Sequence, residues 1–392
     1  MRKTRKRYKG FTSNNSVQLI RGGRKYFDLM IKLIKEATHT IHLQVYILDD
    51  DETGREIVDA LIDAVTRGVR VYLMADGYAS QGLSQTFINR ITTGGIKFRY
   101  FESLFRSKHF YFGRRLHHKV FVTDSMNALV GGLNITDRYN DFPNQPAWLD
   151  FAVYVKGTIA RDLCVLCSKT WNGFLPVAEE RIPCVVTEHF HTTKEEDCMV
   201  RMRRNDWVRK KNEVARTYAE MLLTAKDHIT ILCSYFLPGI ALTKRLIRAA
   251  RNGVNVKVIM AGRSDVMLAK HAERYIYRKL IDNNIEVYEY QPNVLHGKVA
   301  VCDDEWMTIG SYNVNNISAY ASIELNLDIR KPSLAKQMNE TLHEIIEQDC
   351  IKVTRGYFIK HTNLVHRFLR WISYQTVSLL FYIVTFYYRQ RD

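Results

Sequence analysis

No apolar segment follows the basic N-terminus, so the opening residues lack the form of a secretory signal and the body is expected to stay in the cytoplasm. Cysteine is sparse and unpatterned: seven residues, an odd number at irregular spacing, argue against a disulfide framework and for a reducing compartment. Cys164 and Cys167 form a CxxC in a helical-looking stretch without a second cysteine pair, and a zinc site needs about four ligands. These two are expected in the core. Acidic residues are outnumbered, 41 Asp plus Glu against 57 Lys plus Arg, and the formal charge of +16 favours anionic partners. Nucleic acid, a negatively charged membrane surface and phosphorylated small molecules all satisfy it.

What is present is a globular body of 392 residues, 46% hydrophobic, long enough for two domains with separate cores. After six basic residues within 1–10, helical and strand-like segments alternate. Tyr26, Leu29, Met30, Leu33 and Ile34 have helical spacing, and Thr40 to Leu48 reads as a strand. A helix over 54–67 then leads through Gly68 into a strand from Val69. The second half repeats this order, and Leu61-Ile62-x-Ala64-x3-Gly68-Val69-x-Val71 matches Leu246-Ile247-x-Ala249-x3-Gly253-Val254-x-Val256. Such alternation predicts an α/β fold with a parallel or mixed sheet covered by helices. The expected division is a basic tail over 1–14, a first domain over 15–185, a linker over 186–212, a second domain over 213–350 and a basic, aromatic tail over 351–392.

A longer motif also occurs twice. His117-x-Lys119-x4-Asp124-x6-Gly131-Gly132-x-Asn134 is matched by His296-x-Lys298-x4-Asp303-x6-Gly310-Ser311-x-Asn313, with the same spacing throughout. On a strand, the period of two puts His117 beside Lys119 and His296 beside Lys298, an imidazole and an ammonium about 6–7 Å apart at the backbone. That pair suits a phosphate, with Lys on its oxygens and His at phosphorus. Asp124 and Asp303 have the opposite parity and open turn-like sequences, so they are expected to shape turns. The carboxylates that orient the imidazoles are then sought downstream, at Asp150 and Glu324 on predicted strands. Asn134 and Asn313 supply amides that can donate to phosphate oxygens, and the adjoining small residues allow close backbone approach. His118 faces away from His117 and is expected to be structural. One neutral and one protonated imidazole suffice for covalent phosphoryl-group transfer without a metal or cofactor.

These residues resemble the paired HKD motifs of the phospholipase D superfamily over about residues 15–335, and within it the short bacterial cardiolipin synthases without two N-terminal transmembrane helices. The resemblance implies two similar phospholipase D-like domains, each a mixed β-sheet flanked by helices, related by pseudo-twofold symmetry, with both motifs in one cleft. It implies a catalytic set of His117, Lys119, Asp124, His296, Lys298 and Asp303, a phosphatidyl-histidine on His117, and His296 as acid and base. It further implies that a downstream carboxylate hydrogen-bonds each histidine. Similar enzymes move a phosphatidyl group from phosphatidylglycerol to another lipid headgroup and release glycerol. The same superfamily contains lipid hydrolases and nucleases, which +16 would suit equally well.

Two features favour lipid. Arg370 and Arg389 bracket an uncharged stretch, 371–388, rich in aromatic and aliphatic residues, as at a membrane interface. Phe105-Arg-Ser-Lys-His-Phe-Tyr-Phe-Gly-Arg-Arg alternates aromatic and basic residues just before His117. The expected partners are therefore phosphatidylglycerol, other anionic phospholipids and a membrane surface rather than nucleic acid, on the cytoplasmic side of a bacterial membrane. Whether the tail spans the bilayer or lies on it is open at this level.

Overall fold

A computed structural model describes residues 10–101, 114–173, Cys184, 190–360 and 363–389, with side chains as far as Phe381. The first half contains strands β1 (Asn15–Arg21), β2 (Thr40–Val45), β3 (Arg70–Asp76), β4 (Lys97–Phe101), β5 (Arg115–Leu116), β6 (Lys119–Thr123), β7 (Asn127–Gly131) and β8 (Phe151–Gly157). Its helices are α1 (Arg24–Glu36), α2 (Glu52–Thr66), α3 (Gln85–Thr93) and α4 (Thr158–Trp171). Seven strands form a mixed sheet in the order β1-β8-β7-β6-β2-β3-β4. The parallel part, β2-β3-β4, arises from the helix crossovers, and the antiparallel part combines the β6-β7 hairpin with pairings between strands distant in sequence, β1 with β8 and β2 with β6.

The second half repeats the plan with β11 (His228–Cys233), β12 (Asn255–Ala261), β13 (Ile285–Tyr290), β14 (Lys298–Cys302), β15 (Trp306–Gly310) and β16 (Ser322–Arg330), extended by β9 (Met199–Asp206), β10 (Lys211–Asn212) and β17 (Cys350–Lys352). The helices are α5 (Glu213–Thr224), α6 (Ile240–Arg251), α7 (Met267–Ile281), α8 (Asn316–Tyr320), α9 (Pro332–Asp349), α10 (Arg355–Lys360) and α11 (Leu364–Arg389). Strand β14 lies between β11 and β15 as β6 lies between β2 and β7, so both motifs sit mid-sheet on equivalent strands.

Local chemistry explains these elements. The stripe Tyr26, Phe27, Met30, Leu33 and Ile34 seats α1 on the first sheet. Asp51 caps α2 by accepting from the Gly54 backbone N–H at 2.9 Å. Gly68 and Gly253 end their helices at φ +89° and +91°, where a side chain would be strained. Valines and leucines on the inner faces of both sheets, among them Val120, Val153, Val299 and Leu325, share one core with Phe151. Truncating Phe151, 2% exposed, would cost about 3–5 kcal/mol and would loosen the packing of the two halves.

Two sequence expectations change. The stretch read as linker contains β9, a full neighbour of β16 in the second sheet. Its arginines disguised it: Arg201 is 4% exposed yet paired with Asp328 at 2.7 Å, so its charge is neutralised inside the fold. Cys164, expected as a core thiol, is buried but joined to Cys184 in a disulfide, Cα to Cα 6.0 Å, a proximity that irregular spacing does not reveal. Cys167 remains a free buried thiol.

Candidate active site

The motif histidines precede β6 and β14, where the two halves meet. The backbone N–H of His117 donates to the carbonyl of Ile323 at 3.0 Å, and that of His296 donates to the carbonyl of Leu149 at 2.8 Å. Each contact brings the next residue on the opposite half within reach. The result is a reciprocal crossing: His117 Nδ1 lies 2.9 Å from Glu324 Oε2, and His296 Nδ1 lies 2.7 Å from Asp150 Oδ2. Each imidazole is held by a carboxylate of the other half. Because Nδ1 is engaged, Nε2 is the nitrogen left for chemistry.

Lys119 and Lys298 stand on the same strand faces as their histidines. Lys119 Nζ donates to the His117 carbonyl at 2.5 Å, and Lys298 Nζ donates to the His296 carbonyl. Both ammonium groups are almost wholly buried. Burial pushes Lys119 down to about 7 and lowers Lys298 as well. Binding an anion between them offsets that desolvation, so the site has an electrostatic demand for negative charge.

Burial also lowers both histidines. At His117 the charge of Glu324 opposes the fall. His296 is held well below 6.5 by burial, then by Lys298, Lys119 and His117. Asp150 is pushed up to about 6 by burial, with Lys298 drawing it back, so the low-dielectric setting favours the neutral form on both sides of the His296–Asp150 pair.

The small residues of the two motifs have distinct reasons. A Cβ at Gly131 would lie 2.6 Å from the Phe151 carbonyl, and one at Gly310 2.2 Å from the Leu325 carbonyl, so both must be glycine. A Cβ at Gly132 would meet Asp150 Oδ1 at 2.4 Å. The matching residue of the second half, Ser311, instead donates its hydroxyl to Glu324. Aspartate beside glycine and glutamate beside serine are therefore two solutions to one positioning problem.

Asp124 and Asp303, members of the expected catalytic set, stand elsewhere. Seven residues of extended chain from its histidine place each of them on the order of 20 Å away. Asp124 accepts from the backbone N–H groups of Thr38, His39 and Thr40, each at 2.8 Å. Asp303 does the same for Lys226, Asp227 and His228 at 2.9–3.0 Å. With φ of +51° at both, and a positive φ at Ser125 and Asp304, they open three-residue hairpin turns closed by the pairs Thr123 with Asn127 and Cys302 with Trp306. They are turn formers, as strand parity expects, and not reacting groups.

Asn134 accepts from the Ile47 N–H at 3.0 Å and donates to the Tyr139 hydroxyl at 3.1 Å. Asn313 accepts from Ser234 Oγ at 2.7 Å. Both amides are thus tied to the loop after the adjacent strand. His118 is buried on the far face, 2.9 Å from Gln44 Oε1. The aromatic and basic loop expected to meet substrate falls mostly on 102–113, outside the described residues. Arg114, at its end, pairs with Asp206 of the second half at 3.0 Å.

Several site residues were not read from the sequence. The Tyr46 ring meets His117 edge-on at 4.8 Å, and Tyr139 and Trp148 cover His296 at 5.1 and 6.2 Å, all three from the first half. Asp76, buried at the end of β3, accepts from the Leu116 N–H at 2.8 Å and so pins the strand before His117. Its signal was a lone acid closing an apolar strand. Asp265, bonded by the Tyr235 hydroxyl, directs its charge at His296 and Lys298 from the second half.

Twin mixed sheets that exchange carboxylates across paired His-x-Lys strands agree with a phospholipase D-like fold, and the family match places the protein among the phospholipase D-like enzymes. The assignment narrows further: the family described as cardiolipin synthase, PLD-like domain, matches residues 30–145 and 218–346, and the chain belongs to it. It is 32% identical over 358 residues to cardiolipin synthase B of Salmonella typhimurium, covering 90% of this chain and 86% of that one. To cardiolipin synthase B of Escherichia coli K12 it is 31% identical over 361 residues, covering 89% and 84%. Among solved structures, phosphatidylserine synthase of Haemophilus influenzae superposes with a TM-score of 0.72 at 15% identity over 94% of this chain and 95% of that one, a likeness of fold.

Proposed function

We propose that this protein is a phosphatidyltransferase that makes cardiolipin from phosphatidylglycerol at the cytoplasmic face of a bacterial membrane. The observation that carries the reading is the reciprocal pair of contacts, His117 with Glu324 and His296 with Asp150, which turns both Nε2 atoms free for one phosphodiester. Family membership and relatives named cardiolipin synthase support the lipid substrate.

In the proposed cycle, His117 Nε2 attacks phosphorus of phosphatidylglycerol while His296 Nε2 gives its proton to the departing glycerol oxygen. Glycerol leaves, and the phosphatidyl group stays on His117. The headgroup hydroxyl of a second phosphatidylglycerol then gives its proton to His296 and attacks phosphorus, and His117 departs as leaving group. Lys119, Lys298, Asn134 and Asn313 stabilise the charge on the transferring oxygens. The resemblance supports His117 as nucleophile. In the unliganded cleft His296 is the more strongly depressed imidazole, so the negative charge of the phosphodiester must raise it before it can act as the acid.

Purified protein incubated with phosphatidylglycerol in mixed micelles should yield cardiolipin and glycerol in equal amounts. No lipid product, together with cleavage of plasmid or single-stranded DNA, would overturn the reading in favour of a nuclease, and phosphatidic acid with glycerol would mark a hydrolase. Rapid quenching and peptide mass analysis should find the adduct on His117. An adduct on His296 would reverse the two roles.

A further inference from the structure

Among the described residues, every large hydrophobic side chain standing exposed belongs to the second half except Tyr78. The tail accounts for much of this. Helix α11 packs lengthwise and antiparallel on α7: Val377 clusters with Ala272 and Leu237, and the Tyr374 and Tyr275 rings lie 4.7 Å apart. Arg370, Ser373 and Val377 form its buried stripe at helical spacing. The opposite side is also apolar, with Leu364, Phe368, Trp371, Ile372, Leu379 and Leu380 between 42% and 79% exposed. A helix apolar all round, with only one side covered by its own fold, has a second apolar partner. No described helix is long and apolar enough to cross a membrane.

The exposed surface continues to the mouth of the cleft. Val266, Met267 and Leu268, 45%, 63% and 41% exposed, follow Asp265, whose charge reaches His296. Ile240, 78% exposed, opens α6 and lines the same cavity of about 970 Å³ as Phe368, Trp371 and Tyr374. Charge identifies the partner. Helix α11 contains no Asp or Glu, and neither does α6, which exposes Lys244, Arg245 and Arg248. Lys279 and Arg367 stand exposed at the cavity. A second copy of the chain docked by the same patch would set this cationic face against itself, whereas an anionic lipid surface complements it.

We infer that the second half carries a continuous membrane-docking face, made of the outer side of α11 and the cleft rim at Ile240 and 266–268, which lies flat on an anionic phospholipid bilayer and opens the cleft toward it. In this arrangement α11 lies in the interfacial plane, its apolar side among the lipids and the exposed Arg367 at the headgroups. The purpose of the face, delivery of lipid to the cleft, rests on the phosphatidyl-transfer reading; its existence does not.

The test is sedimentation of the full chain with vesicles of phosphatidylglycerol and phosphatidylcholine, against phosphatidylcholine alone. The doubly substituted Phe368→Asp/Leu379→Asp protein should need at least ~10-fold more lipid for half-binding, and Met267→Asp/Leu268→Asp should also weaken it, because each change puts a charge in the apolar contact. Brominated lipid should quench wild-type fluorescence, and Trp371→Phe should remove most of that quenching, a readout that survives if a charged variant fails to fold. Folded variants that sediment like wild type, quenching unchanged by Trp371→Phe, or a dimer in light scattering that the variants split without loss of lipid binding would each overturn the inference. Wild type that sediments but forms no cardiolipin would sink the reaction and leave the docking face standing.

Discussion

Replacing Gly132 with alanine isolates the positioning of His296, the proposed acid and base, without touching either motif histidine. The backbone there is ordinary, so the added methyl acts only through what it meets. Its Cβ would stand 2.4 Å from Asp150 Oδ1, and ordinary contact begins at 3.4 Å, so the carboxylate has to retreat about 1 Å. If that motion is taken up along the bond to His296 Nδ1, now 2.7 Å, the contact stretches beyond about 3.5 Å and ceases to be a hydrogen bond. A misplacement of about 1 Å at a catalytic group costs roughly 10²-fold in rate, or about 3 kcal/mol of transition-state stabilisation. The expected result is kcat for cardiolipin formation down about 10²-fold, with KM for phosphatidylglycerol changed less than about threefold, because no contact to the lipid is removed. Steady-state kinetics on micellar substrate, with a thermal melt to confirm folding, makes the measurement. A folded Gly132→Ala enzyme within about threefold of wild-type kcat would refute the claim that Asp150 sets the geometry of His296.

Three further outcomes are expected. His117→Ala and His296→Ala should each lower turnover by at least about 10³-fold while wild-type activity survives EDTA; a chelator-sensitive enzyme would contradict the two-histidine scheme. Glu324→Gln should cost about 10–100-fold in kcat, and, because the lost charge was holding the His117 pKa up, the acid limb of the pH profile should move to lower pH; a limb that stays in place would show that Glu324 does not act on His117. His42, buried and pushed down to about 4 by desolvation, stays neutral in the folded chain while its unfolded counterpart takes a proton below about 6.5. Stability is therefore lost as pH falls from about 6.5 to about 4, by roughly 3 kcal/mol from this group. His42→Leu should flatten the decline of Tm over that range, and an identical decline would count against the assignment.

Much of this site is legible in the chain because its chemistry lies on strands. The period of two puts His beside Lys and assigns Asp124 and Asp303 to turns, and the position of Glu324 on β16 and of Asp150 just before β8 suits them to orient an imidazole. What could not be read is which histidine each carboxylate serves. Local periodicity reports which face a residue shares with its neighbours in sequence, whereas the crossing depends on the meeting of Leu149 with His296 and of Ile323 with His117, between halves more than a hundred residues apart. Strand β9 was missed for a related reason: its charges break the apolar periodicity of a strand, and only Asp328, far along the chain, neutralises Arg201 and Arg203. The tail composition pointed to a membrane interface, and only the packing of α11 along α7 shows that one side of the helix is used by the protein itself.

The exchange of carboxylates bears on how a duplicated chain can change over time. Ordinarily one copy of a repeat can fall idle while the other keeps the activity. Here each copy supplies what the other copy's histidine requires, so damage at Asp150 is felt at His296 and damage at Glu324 is felt at His117. On the proposed two-histidine reaction, neither copy could lapse into a mere scaffold without disarming its sibling, and a chimera that replaced one copy alone would have to bring the right length of acid for a histidine it does not contain.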